Sequence, residues 1–468
     1  CFMHLDTYQK FHFIGIGGMG MRALANILIH MGVNVSGSDV VDSTILHEFR
    51  EQGATIYLGH KAENIENADV VVISSAISPE NPELQEAKNR NIPIFHRSDV
   101  LAAMFMWGKG IAVAGAHGKS TTSAMVGQIF KYANVDPTIV LGGATDYLKG
   151  NSCYGKGEYV IAEADESDGT FLKFSPFLSI ITNIEDDHLD YYGTFEDIKK
   201  AFIEFIERIS DENGVAVVCI DNAGIRSILS QVKKKVITYG FNMEADYQAV
   251  NKRYEKNLLL FDVLHKGHIL GTIQLHLPGE HNVLNALAAI VTALYCGISF
   301  ESIQEALSLF CGVHRRFETK AFHHGIWIVD DYAHHPTEIE ATLKAAKEIS
   351  GYRVICAFQP HRYSRTKLLC DEFAVAFDMA DILYFTDIYA ASEKPLFGVD
   401  GKLIPLLVQK NNLSKEVHYV CTLENLVESL YHIARPGDMI ITMGAGNIYT
   451  VGQKLAQLLD EEGIYNDN

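Results

Sequence analysis

Two glycine-rich turns, each placed between an apolar strand and a helix, constrain this sequence more than any other feature. The first turn, GIGGMG, covers residues 15–20, and the second, GAHGKSTT, covers residues 115–122. Such turns expose backbone N–H groups at the positive end of a helix, where phosphate groups bind. Because each turn needs its own strand and helix, the pattern predicts two separate sheets that each face a phosphorylated ligand.

The second turn predicts a nucleoside triphosphate site. Gly115 and Gly118 let the backbone N–H groups point inward, Lys119 would reach the outer phosphates, and the Ser120 hydroxyl would face Mg²⁺. The loop departs from the general GxxxxGK[ST] pattern, because Val113 stands where that pattern has its first glycine. The alternative, a glycine-rich turn with an incidental lysine, fits the preceding apolar strand less well. The residues expected around the triphosphate are Gly115, Ala116, His117, Gly118, Lys119, Ser120 and Thr121.

Acidic side chains follow two further predicted strands of the same region. One strand, at residues 159–162, is followed by Glu163 and Asp165, and a second, at residues 178–182, is followed by Asn183, Glu185, Asp186, Asp187 and His188. Because α/β sheets place functional groups at the carboxyl ends of their strands, we expect these side chains at one edge. Oxygen ligands with one imidazole suit Mg²⁺ or Mn²⁺ better than zinc. For any single carboxylate, a solvated loop position is an equal alternative.

The first turn has the GxGxxG spacing of a dinucleotide-binding fingerprint. Gly15, Gly17 and Gly20 follow an apolar strand, and Asp39 ends the next strand, where it would bind a ribose hydroxyl. A nicotinamide-dependent dehydrogenase is therefore an alternative interpretation. Against it, hydride transfer has no use for a second loop that holds a triphosphate and Mg²⁺. The turn itself requires only a pyrophosphate at a helix N-terminus, which a UDP-linked substrate would supply equally well.

Length and strand spacing predict a multidomain α/β protein. The chain has 468 residues, of which 48% are hydrophobic, and this is more than one hydrophobic core usually fills. Short β-branched runs alternate with helical stretches in three groups. The first group has strands near residues 11–16, 33–37 and 69–74, and the second has strands at 111–114, 159–162, 178–182 and 214–220, followed by a weakly alternating segment at 247–277. The third has strands at 326–329, 354–358, 382–386 and 439–442. We predict an N-terminal Rossmann-like domain at residues 1–108, a central P-loop ATPase-like parallel-sheet domain at residues 109–311 and a C-terminal Rossmann-like domain at residues 312–468.

Charge and cysteine usage exclude several classes of protein. The formal charge of -19 argues against nucleic-acid binding, which relies on clustered Lys and Arg. The eight cysteines include no CxxC pair, so the sequence suggests neither a zinc ribbon nor a disulfide framework. Apolar runs are far shorter than the ~20 residues of a membrane helix, and no signal peptide is recognisable. We therefore expect a cytoplasmic protein, a monomer or weak homodimer, with no nucleic-acid or membrane partner.

Eight segments together resemble the Mur ligase family of peptidoglycan synthesis. They are GIGGMG, GAHGKSTT, AEADESD, TNIEDDHLDYYG, PGEHNVLNALAA, HRRFE, DDYAHHPTE and QPHRYSRT, in the order of the family and across nearly the whole chain. The resemblance implies that ATP, with Mg²⁺ or Mn²⁺, phosphorylates the lactyl carboxylate of UDP-N-acetylmuramate, and that the amine of L-alanine attacks the resulting acyl phosphate. It also implies domain closure, because the intermediate must be kept from water.

The resemblance also assigns roles to positions of this sequence. The catalytic group would comprise Lys119, Glu163, His188, Arg316, Asp331 and His334, and the Mg²⁺ ligands among the matched positions would be Ser120, Glu163 and His188. Asn282 and Asn285 would lie beside the adenine and metal site, and Arg316 and Asp331 of the third domain would close on ATP. The substrates would contact Tyr332, His361, Arg362 and Arg365, where guanidinium forks suit carboxylates. The UDP moiety would be held by Gly17, Gly18, Met19, Gly20, Asp39, Ser74 and Ser75.

Other interpretations stay open for several of these positions. His324 and His335 are predicted as polar-surface or helix-start residues rather than ligands, and Arg315 would pair with a carboxylate. Asn282 and Asn285 lie one helical turn apart, so a buried hydrogen-bonding role competes with ligand contact.

One departure from the family concerns a carbamylated lysine that several members carry after the DDH-type motif. Here the corresponding positions hold Ala201, Phe202 and Ile203, while Lys199 and Lys200 look like an exposed pair. The absence favours the alanine-adding branch of the family. A relative that joins a preformed peptide to the same sugar nucleotide is the close alternative.

Overall fold

The structure is a computed structural model that describes residues 5–186, 189–210, 212–255, 257–349 and 351–466. Over these ranges the chain forms three sheets flanked by helices, which confirms the predicted α/β class. The strands are β1 Lys10–Ile14, β2 Asn34–Asp39, β3 Thr55–Leu58, β4 Val70–Ile73, β5 Ile94–His96, β6 Lys109–Ala114, β7 Thr138–Thr145, β8 Gly150–Cys153, β9 Tyr159–Glu163, β10 Leu178–Ile181, β11 Val215–Cys219, β12 Val236–Gly240, β13 Tyr247–Glu255, β14 Leu258–His265, β15 His268–Leu275, β16 Glu318–His323, β17 Ile326–Asp331, β18 Arg353–Phe358, β19 Ile382–Phe385, β20 Glu416–Tyr419 and β21 Asp438–Met443. The α-helices are α1 Met19–His30, α2 Thr44–Glu51, α3 Pro82–Asn89, α4 Arg97–Phe105, α5 Lys119–Tyr132, α6 Leu189–Tyr192, α7 Phe195–Glu207, α8 Ala223–Ile228, α9 Glu280–Tyr295, α10 Phe300–Ser308, α11 Pro336–Glu348, α12 Tyr363–Leu368, α13 Cys370–Ala376, α14 Leu403–Asn411, α15 Leu423–Ile433 and α16 Tyr449–Asn466.

The first sheet is parallel and has the order β3-β2-β1-β4-β5. Strands β2 and β3 lie on one side of β1, whereas β4 and β5 lie on the other, so the order in which strands are added reverses between β1 and β4. The carboxyl ends of β1 and β4 therefore form a topological switch point, where α/β sheets bind ligands. The GIGGMG turn follows β1, and Ser74 follows β4. The first predicted turn therefore lies at the expected ligand edge of its sheet.

The second sheet has the order β15-β14-β13-β12-β11-β10-β6-β9-β7-β8. Its centre is parallel, with β10, β6 and β9 as neighbours. Strand β6 is buried along almost its whole length, which explains its continuous apolar sequence. Because β10, β6 and β9 end side by side, the GAHGKSTT turn, Glu163 and Thr182 meet at one edge.

The third sheet has the order β16-β17-β21-β18-β19-β20, and it is parallel except for β16. One face buries Val329, Phe358 and Met439 under α11 and α13. The opposite face buries Ile328 and Ile440 with residues of α15 and α16. Both faces are covered, as expected for a parallel sheet whose strands are apolar throughout.

The chain divides into two compact units. Unit 1 comprises Cys1–Lys252, Phe261–Gln274 and Val283–Cys311, and it holds the first sheet and nearly all of the second. Unit 2 comprises Arg253–Leu260, Leu275–Asn282 and Gly312–Asn468, and it holds the third sheet. The finer division at residues 108 and 311 stays a prediction.

Within unit 1, α1 of the first sheet is tied to the hairpin of β7 and β8. The buried Asn151 donates from Nδ2 to the carbonyl oxygens of Met19 and Leu141, each at 2.9 Å. Asn26 of α1 donates to Ser152 Oγ at 3.1 Å. These bonds fix the helix after the first turn against the sheet that carries the second turn. Over the residues that the structure describes, no helix is both long enough and apolar enough to cross a bilayer.

Candidate active site

Both glycines of the second turn are required by its geometry. Gly115 has φ +136°, and a Cβ there would lie 2.0 Å from Thr182 Oγ1. Gly118 has φ +84°, and its Cβ would lie 2.5 Å from Asn285 Oδ1. Since L side chains avoid these φ values and the space is filled, the turn accepts only glycine at both positions. The sequence-based interpretation of the turn agrees with this backbone.

Lys119, the first residue of α5, is held at the mouth of the turn. Its Nζ donates to the carbonyl oxygen of Gly115 at 2.7 Å and to Glu166 Oε1 at 2.8 Å. Burial lowers the pKa of Lys119, but the negative charge of Glu166 and the hydrogen bond to it raise this pKa by more, so the net pKa lies above the ordinary value. The ammonium is therefore charged and positioned for phosphate oxygens. Glu166 lies in the AEADESD segment, but no sequence pattern distinguished it from its acidic neighbours.

Glu163 is placed between the turn and β7. Its Oε2 accepts from Ser120 Oγ at 3.2 Å, and its Oε1 accepts from Ser123 Oγ at 3.3 Å and from the Gly142 N–H at 2.6 Å. Two of the three predicted metal ligands are thus together, and both are hard oxygen donors that suit Mg²⁺. The third, His188, lies outside the described residues, as does Asp187. In the described ranges no group of three or more His, Cys, Asp or Glu side chains could hold a metal ion.

Residues after β10 hold the turn from the other side. Asn183 Oδ1 accepts from the His117 N–H at 2.8 Å, and Asn183 Nδ2 donates to the His117 carbonyl oxygen at 3.1 Å. The Thr182 hydroxyl donates to the same carbonyl oxygen at 2.5 Å. The amide side chain therefore fixes His117 through both of its polar ends. Asn183 was expected at this edge because it follows a buried strand.

The two asparagines of the GEHNVLN segment both have buried hydrogen-bonding roles. Asn285 is 6% exposed and accepts from Thr122 Oγ1 at 3.1 Å. Asn282 is 4% exposed and donates to the Pro278 carbonyl oxygen at 2.7 Å. The role that competed with ligand contact is therefore present for each residue, while contact with ATP stays a prediction.

The acidic residue of the first turn's fingerprint holds the turn itself. Asp39 Oδ2 accepts from the Gly17 N–H at 2.9 Å, and Oδ1 accepts from the Val41 N–H at 3.2 Å. A Cβ on Gly17 would lie 2.9 Å from Asp39 Oδ2, so the close approach depends on glycine. Ser75 Oγ lies 3.1 Å from His96 Nε2 at the end of β5. The predicted UDP residues thus surround the carboxyl ends of β1, β2 and β4.

Beneath this edge is a buried polar cluster that sequence reasoning missed. Glu83 Oε2 accepts from Ser38 Oγ at 2.6 Å and lies 3.2 Å from His12 Nε2, and its Oε1 accepts from Asn64 Nδ2 at 2.5 Å. Burial raises the pKa of Glu83, but the hydrogen bonds from His12 and Ser38 bring the net pKa below the ordinary value. Because Ser38 precedes Asp39, the ionised carboxylate helps to fix the end of β2. In the sequence Glu83 resembles an ordinary first-turn acid.

In unit 2, Asp331 at the end of β17 organises the HRRFE segment. Its two oxygens accept from the Phe317 N–H at 2.9 Å and the Ala333 N–H at 2.7 Å. Burial raises the pKa of Asp331 to about 6, although the charge of Arg316 and these hydrogen bonds oppose the change. Arg316 Nη1 lies 3.5 Å from Glu338 Oε1, and its guanidinium lies 5.2 Å from the Tyr332 ring centre.

Arg315 pairs with a carboxylate, as the alternative interpretation expected. Its Nε donates to Asp330 Oδ2 at 3.1 Å, and its Nη2 donates to the Gly444 carbonyl oxygen at 2.6 Å. The guanidinium also lies 5.0 Å from the Tyr332 ring centre and 4.6 Å from that of Tyr449. Arg315 is therefore committed to the fold, whereas its neighbour faces Tyr332 and Glu338.

The histidines of the third sheet lie along its carboxyl edge. The rings of His334 and His361 are 6.1 Å apart, and His361 stacks on Tyr389 at 5.6 Å with a 10° angle between the planes. Burial, together with Arg365 and His334, lowers the pKa of His361 to about 4, and burial also lowers the pKa of His334. Arg365 Nη1 lies 3.0 Å from His361 Nδ1. At neutral pH both imidazoles are uncharged, so they leave the local positive charge to the arginines.

Two of the remaining expectations are met and one is wrong. His335 is the N-cap of α11 and accepts from the Thr337 N–H, and His324 is an exposed turn residue. Lys199 was expected to be exposed like Lys200, but its side chain is only 16% exposed. The ammonium of Lys199 pairs with Glu196 and lies 5.2 Å from the Phe195 ring centre. The amphipathic pattern of α7 places Lys199 at the border of the buried face, which charge alone does not reveal.

Family models and related sequences both match this chain over most of its length. Three family models match in succession, described as "Mur ligase family, catalytic domain" at residues 10–106, "Mur ligase middle domain" at residues 113–293 and "Mur ligase, glutamate ligase domain" at residues 315–446. The chain is 46% identical to the UDP-N-acetylmuramate–L-alanine ligase of Pelotomaculum thermopropionicum, over 98% of this chain and 99% of that protein. The ligase of the same name from Geotalea daltonii is 46% identical over 97% and 98%.

Solved structures agree with these sequence matches. The crystal structure of UDP-N-acetylmuramate–alanine ligase from Thermotoga maritima superposes with a TM-score of 0.81 at 31% identity, covering 97% of this chain and 99% of that one. A murein peptide ligase from Psychrobacter arcticus has a TM-score of 0.69 at 24% identity, covering 96% and 98%. At 24% identity, the second match shows only that the two proteins share a fold.

Proposed function

The chain belongs to the Mur ligase family, and on that premise we propose that it joins L-alanine to UDP-N-acetylmuramate with hydrolysis of ATP to ADP and phosphate. The proposed substrates rest on one observation, the 46% identity to an alanine-adding ligase over 98% of this chain. The nicotinamide dehydrogenase alternative is set aside, because the likeness to ligases includes the GIGGMG turn. In this function the first turn binds the UDP moiety and the second binds ATP.

The geometry of the second turn supports the proposed use of ATP. Lys119 presents a charged ammonium beside backbone N–H groups at the start of α5, so the β and γ phosphates would be bound by opposite charge. To bind them, Lys119 would exchange Glu166 for phosphate oxygens. Phosphoryl transfer asks mainly for alignment and charge neutralisation, which this rigid turn supplies. The lactyl carboxylate would then attack the γ phosphorus, the bond from that phosphorus to the bridging oxygen would break, and the acyl phosphate would form with ADP as the leaving group.

The residues at this edge also fit Mg²⁺. Ser120 and Glu163 are oxygen donors 3.2 Å apart at the mouth of the turn, and His188 follows β10, whose end lies beside β6. We assign these three residues to the metal, which when bound neutralises phosphate charge. Glu163 keeps its position through Gly142 and Ser123 even without a ligand.

Unit 2 supports the proposed binding of an amino acid. Arg365 and Arg362 follow β18, and neutral His361 and His334 lie on the same edge of the sheet. Guanidinium groups bind the carboxylate of an amino acid by paired hydrogen bonds. Because burial lowers the pKa of both imidazoles, each is unprotonated near neutral pH and has a ring nitrogen that can accept a hydrogen bond from the amine. Arg316 and Asp331 are assigned to the ATP side of the same unit.

The proposed function is tested by measuring phosphate release from ATP with each substrate omitted in turn. We expect release only when UDP-N-acetylmuramate and L-alanine are both present. L-serine and glycine in place of L-alanine define the amino-acid preference. ATP turnover that ignores both substrates would contradict the proposal.

A murein peptide ligase is the second candidate, because it shares the fold. Such an enzyme joins a preformed peptide to the same sugar nucleotide, so the tripeptide L-alanyl-γ-D-glutamyl-meso-diaminopimelate is the discriminating substrate. We expect no turnover with the tripeptide and full turnover with L-alanine. The reverse result would replace the proposed function with the second candidate.

A cytoplasmic enzyme that is monomeric or weakly dimeric completes the proposal, and light scattering measures its oligomeric state.

A further inference from the structure

Arg97 of unit 1 occupies a position that none of the sequence motifs predicted. It is the first residue of α4, directly after β5, and its guanidinium lies against the first turn of α1. A Cβ on Gly20 would lie 3.0 Å from Arg97 Nη1 and 3.4 Å from Arg97 Cδ, so glycine leaves the room that the arginine needs. The Arg97 side chain is 36% exposed. The guanidinium is therefore close to the first glycine-rich turn and open to a ligand.

Positive charge from two sources meets at this position, and the carboxylate of Asp39 offsets only part of it through the Gly17 N–H. The first turn of a helix carries partial positive charge, because its N–H groups have no intrahelical acceptor. Helix α1 has Gly18 as its N-cap, and in this described segment no side chain caps it and its first turn contains no acidic residue. A guanidinium thus faces the positive end of a helix. An anion placed between them would be attracted by both.

Asp165 is near Arg97 but does not account for its position. Arg97 Nη2 and Asp165 Oδ2 are 4.0 Å apart, and the two side chains are 36% and 43% exposed. Solvent-exposed pairs at this distance contribute little to stability. Asp165 also interacts with Lys119. Burial raises the pKa of Asp165, but the positive charges and hydrogen bonds around it bring the net pKa below the ordinary value, and Lys119 lowers it more than Arg97 does. The ion pair therefore leaves Arg97 available.

The elements on both sides of this position are fixed. His96 caps α4 by accepting from the Ser98 N–H, and its Nε2 lies 3.1 Å from Ser75 Oγ. On the other side, Asn151 holds the carbonyl oxygen of Met19 at 2.9 Å. The backbone next to Arg97 and the start of the helix are thus held in place before any ligand arrives, which reduces the entropy lost on binding.

We propose that Arg97 binds the pyrophosphate of the nucleoside diphosphate substrate, on the side opposite the backbone N–H groups of the GIGGMG turn. Two N–H groups of the guanidinium would donate to phosphate oxygens as a fork. The inference rests on the proposed function for the identity of the sugar nucleotide, and it adds a binding residue to the predicted UDP set. Arg97 then lies between the sugar nucleotide and Asp165, which follows the β9 strand of the ATP-binding sheet.

The test compares binding of UDP and of uridine to the full chain by ligand-observed NMR titration. We expect Arg97→Gln to weaken UDP binding about ten- to a hundredfold, because a charge-assisted contact is lost. Uridine has no phosphate, so its affinity should stay within about twofold on the same scale. Arg97→Lys keeps the charge but not the fork, and its loss for UDP should be intermediate. The matched control is Arg90→Gln, which removes an exposed arginine at the end of α3 that pairs with Glu86 at 2.6 Å.

Unchanged UDP affinity in Arg97→Gln would overturn the inference, and so would equal losses for UDP and uridine, which indicate a structural defect. If Arg97→Gln does not fold, as judged by circular dichroism, Arg97→Lys decides by the same two ligands. The proposed function is tested separately by turnover of the unaltered chain. Failure of that turnover with normal UDP binding would contradict the function and leave the role of Arg97 intact.

Discussion

Lys119 shows how one residue can belong to both the fold and the function. In the structure its ammonium neutralises Glu166, whose side chain is only 3% exposed. Binding of ATP would replace that carboxylate with phosphate oxygens of the same charge. Removal of the lysine therefore has two consequences, a lost phosphate ligand and a buried carboxylate that loses its ammonium partner.

We predict that Lys119→Ala lowers ATP turnover about a hundredfold or more, because a charged group is lost where phosphate charge develops. UDP-N-acetylmuramate should still bind, since the first turn lies on a different sheet. Phosphate release measures the first effect and calorimetric titration the second. The control is Lys131→Ala, which removes an exposed lysine of the same helix. Combining Lys119→Ala with Glu166→Gln also removes the charge of the buried carboxylate. Simultaneous loss of ATP turnover and UDP-N-acetylmuramate binding in the double variant would contradict this division.

Asp331 predicts a pH dependence of stability. Its pKa is raised to about 6 in the folded chain, mainly by burial, and it is about 3.9 in an unfolded chain. Between these values the folded state holds a proton that the unfolded state has lost, so stability falls as pH rises from about 4 to about 6 and is level above. Relative to Asp331→Asn, the unaltered chain should lose about 3 kcal/mol of unfolding free energy over this range. Urea denaturation at several pH values measures it, with the exposed Asp371→Asn as control, and parallel curves for the unaltered chain and Asp331→Asn would contradict it.

At the scale of elements, the second turn is a strand, loop and helix whose shape depends on steric fit as well as on φ. Gly118 and Gly32 have nearly equal φ values, +84° and +83°, but a Cβ meets Asn285 Oδ1 at 2.5 Å in one and nothing within 4 Å in the other. The pair therefore separates the cost of the left-handed backbone from the cost of the clash.

We predict that Gly32→Ala costs about 1 kcal/mol of stability, the cost of the left-handed conformation. Gly118→Ala should cost about 1–3 kcal/mol more, because Asn285 is held by Thr122 and cannot move freely. Chemical denaturation measures both, and the KM for ATP should rise only in Gly118→Ala. Equal destabilisation of the two variants would show that the clash relaxes.

At the scale of the whole molecule, the chain divides into two compact units, and we expect a contact loosened inside one unit to leave hydrogen exchange in the other unchanged. Asn151→Ala removes two hydrogen bonds of the buried Asn151 in unit 1. Asp438→Asn removes the charge and one of the two acceptors that Arg353 contacts in unit 2, each at 2.7 Å. We predict roughly fivefold faster hydrogen exchange in β1 for the first variant and in β21 for the second. Mass spectrometry of exchanged peptides measures it. Faster exchange in both units from either variant would contradict their independence.

Much of the sheet framework could be predicted because parallel strands that are buried on both faces are continuous apolar runs. The predicted strands at residues 111–114, 159–162, 178–182 and 214–220 overlap β6, β9, β10 and β11. No strand was predicted for β3, β5, β7, β8, β12, β16 or β20. Two of these, β5 and β8, are short, and β8 reads GNSC. Their extended conformation comes from pairing with β4 and β7, which local composition does not reveal.

The residues of the candidate site likewise divide into those that the sequence predicted and those that it did not. Motif residues such as Lys119, Ser120 and Asp39 could be predicted, because phosphate binding needs particular residue types at fixed spacing along the chain. Glu166, Asn183 and Arg97 carry no such spacing. They reach the two turns only because neighbouring strands end at one edge.

By itself the sequence determined the two phosphate-binding turns, the α/β class and the residues that follow each core strand, because these depend on local backbone preference and hydrophobic periodicity. Only the tertiary structure decided which side chains complete each turn. It set Glu166 on Lys119, Asn183 on His117 and Arg97 against Gly20. These contacts join residues that are distant in sequence, and their energy depends on burial and on facing charges, which exist only after the sheets have formed.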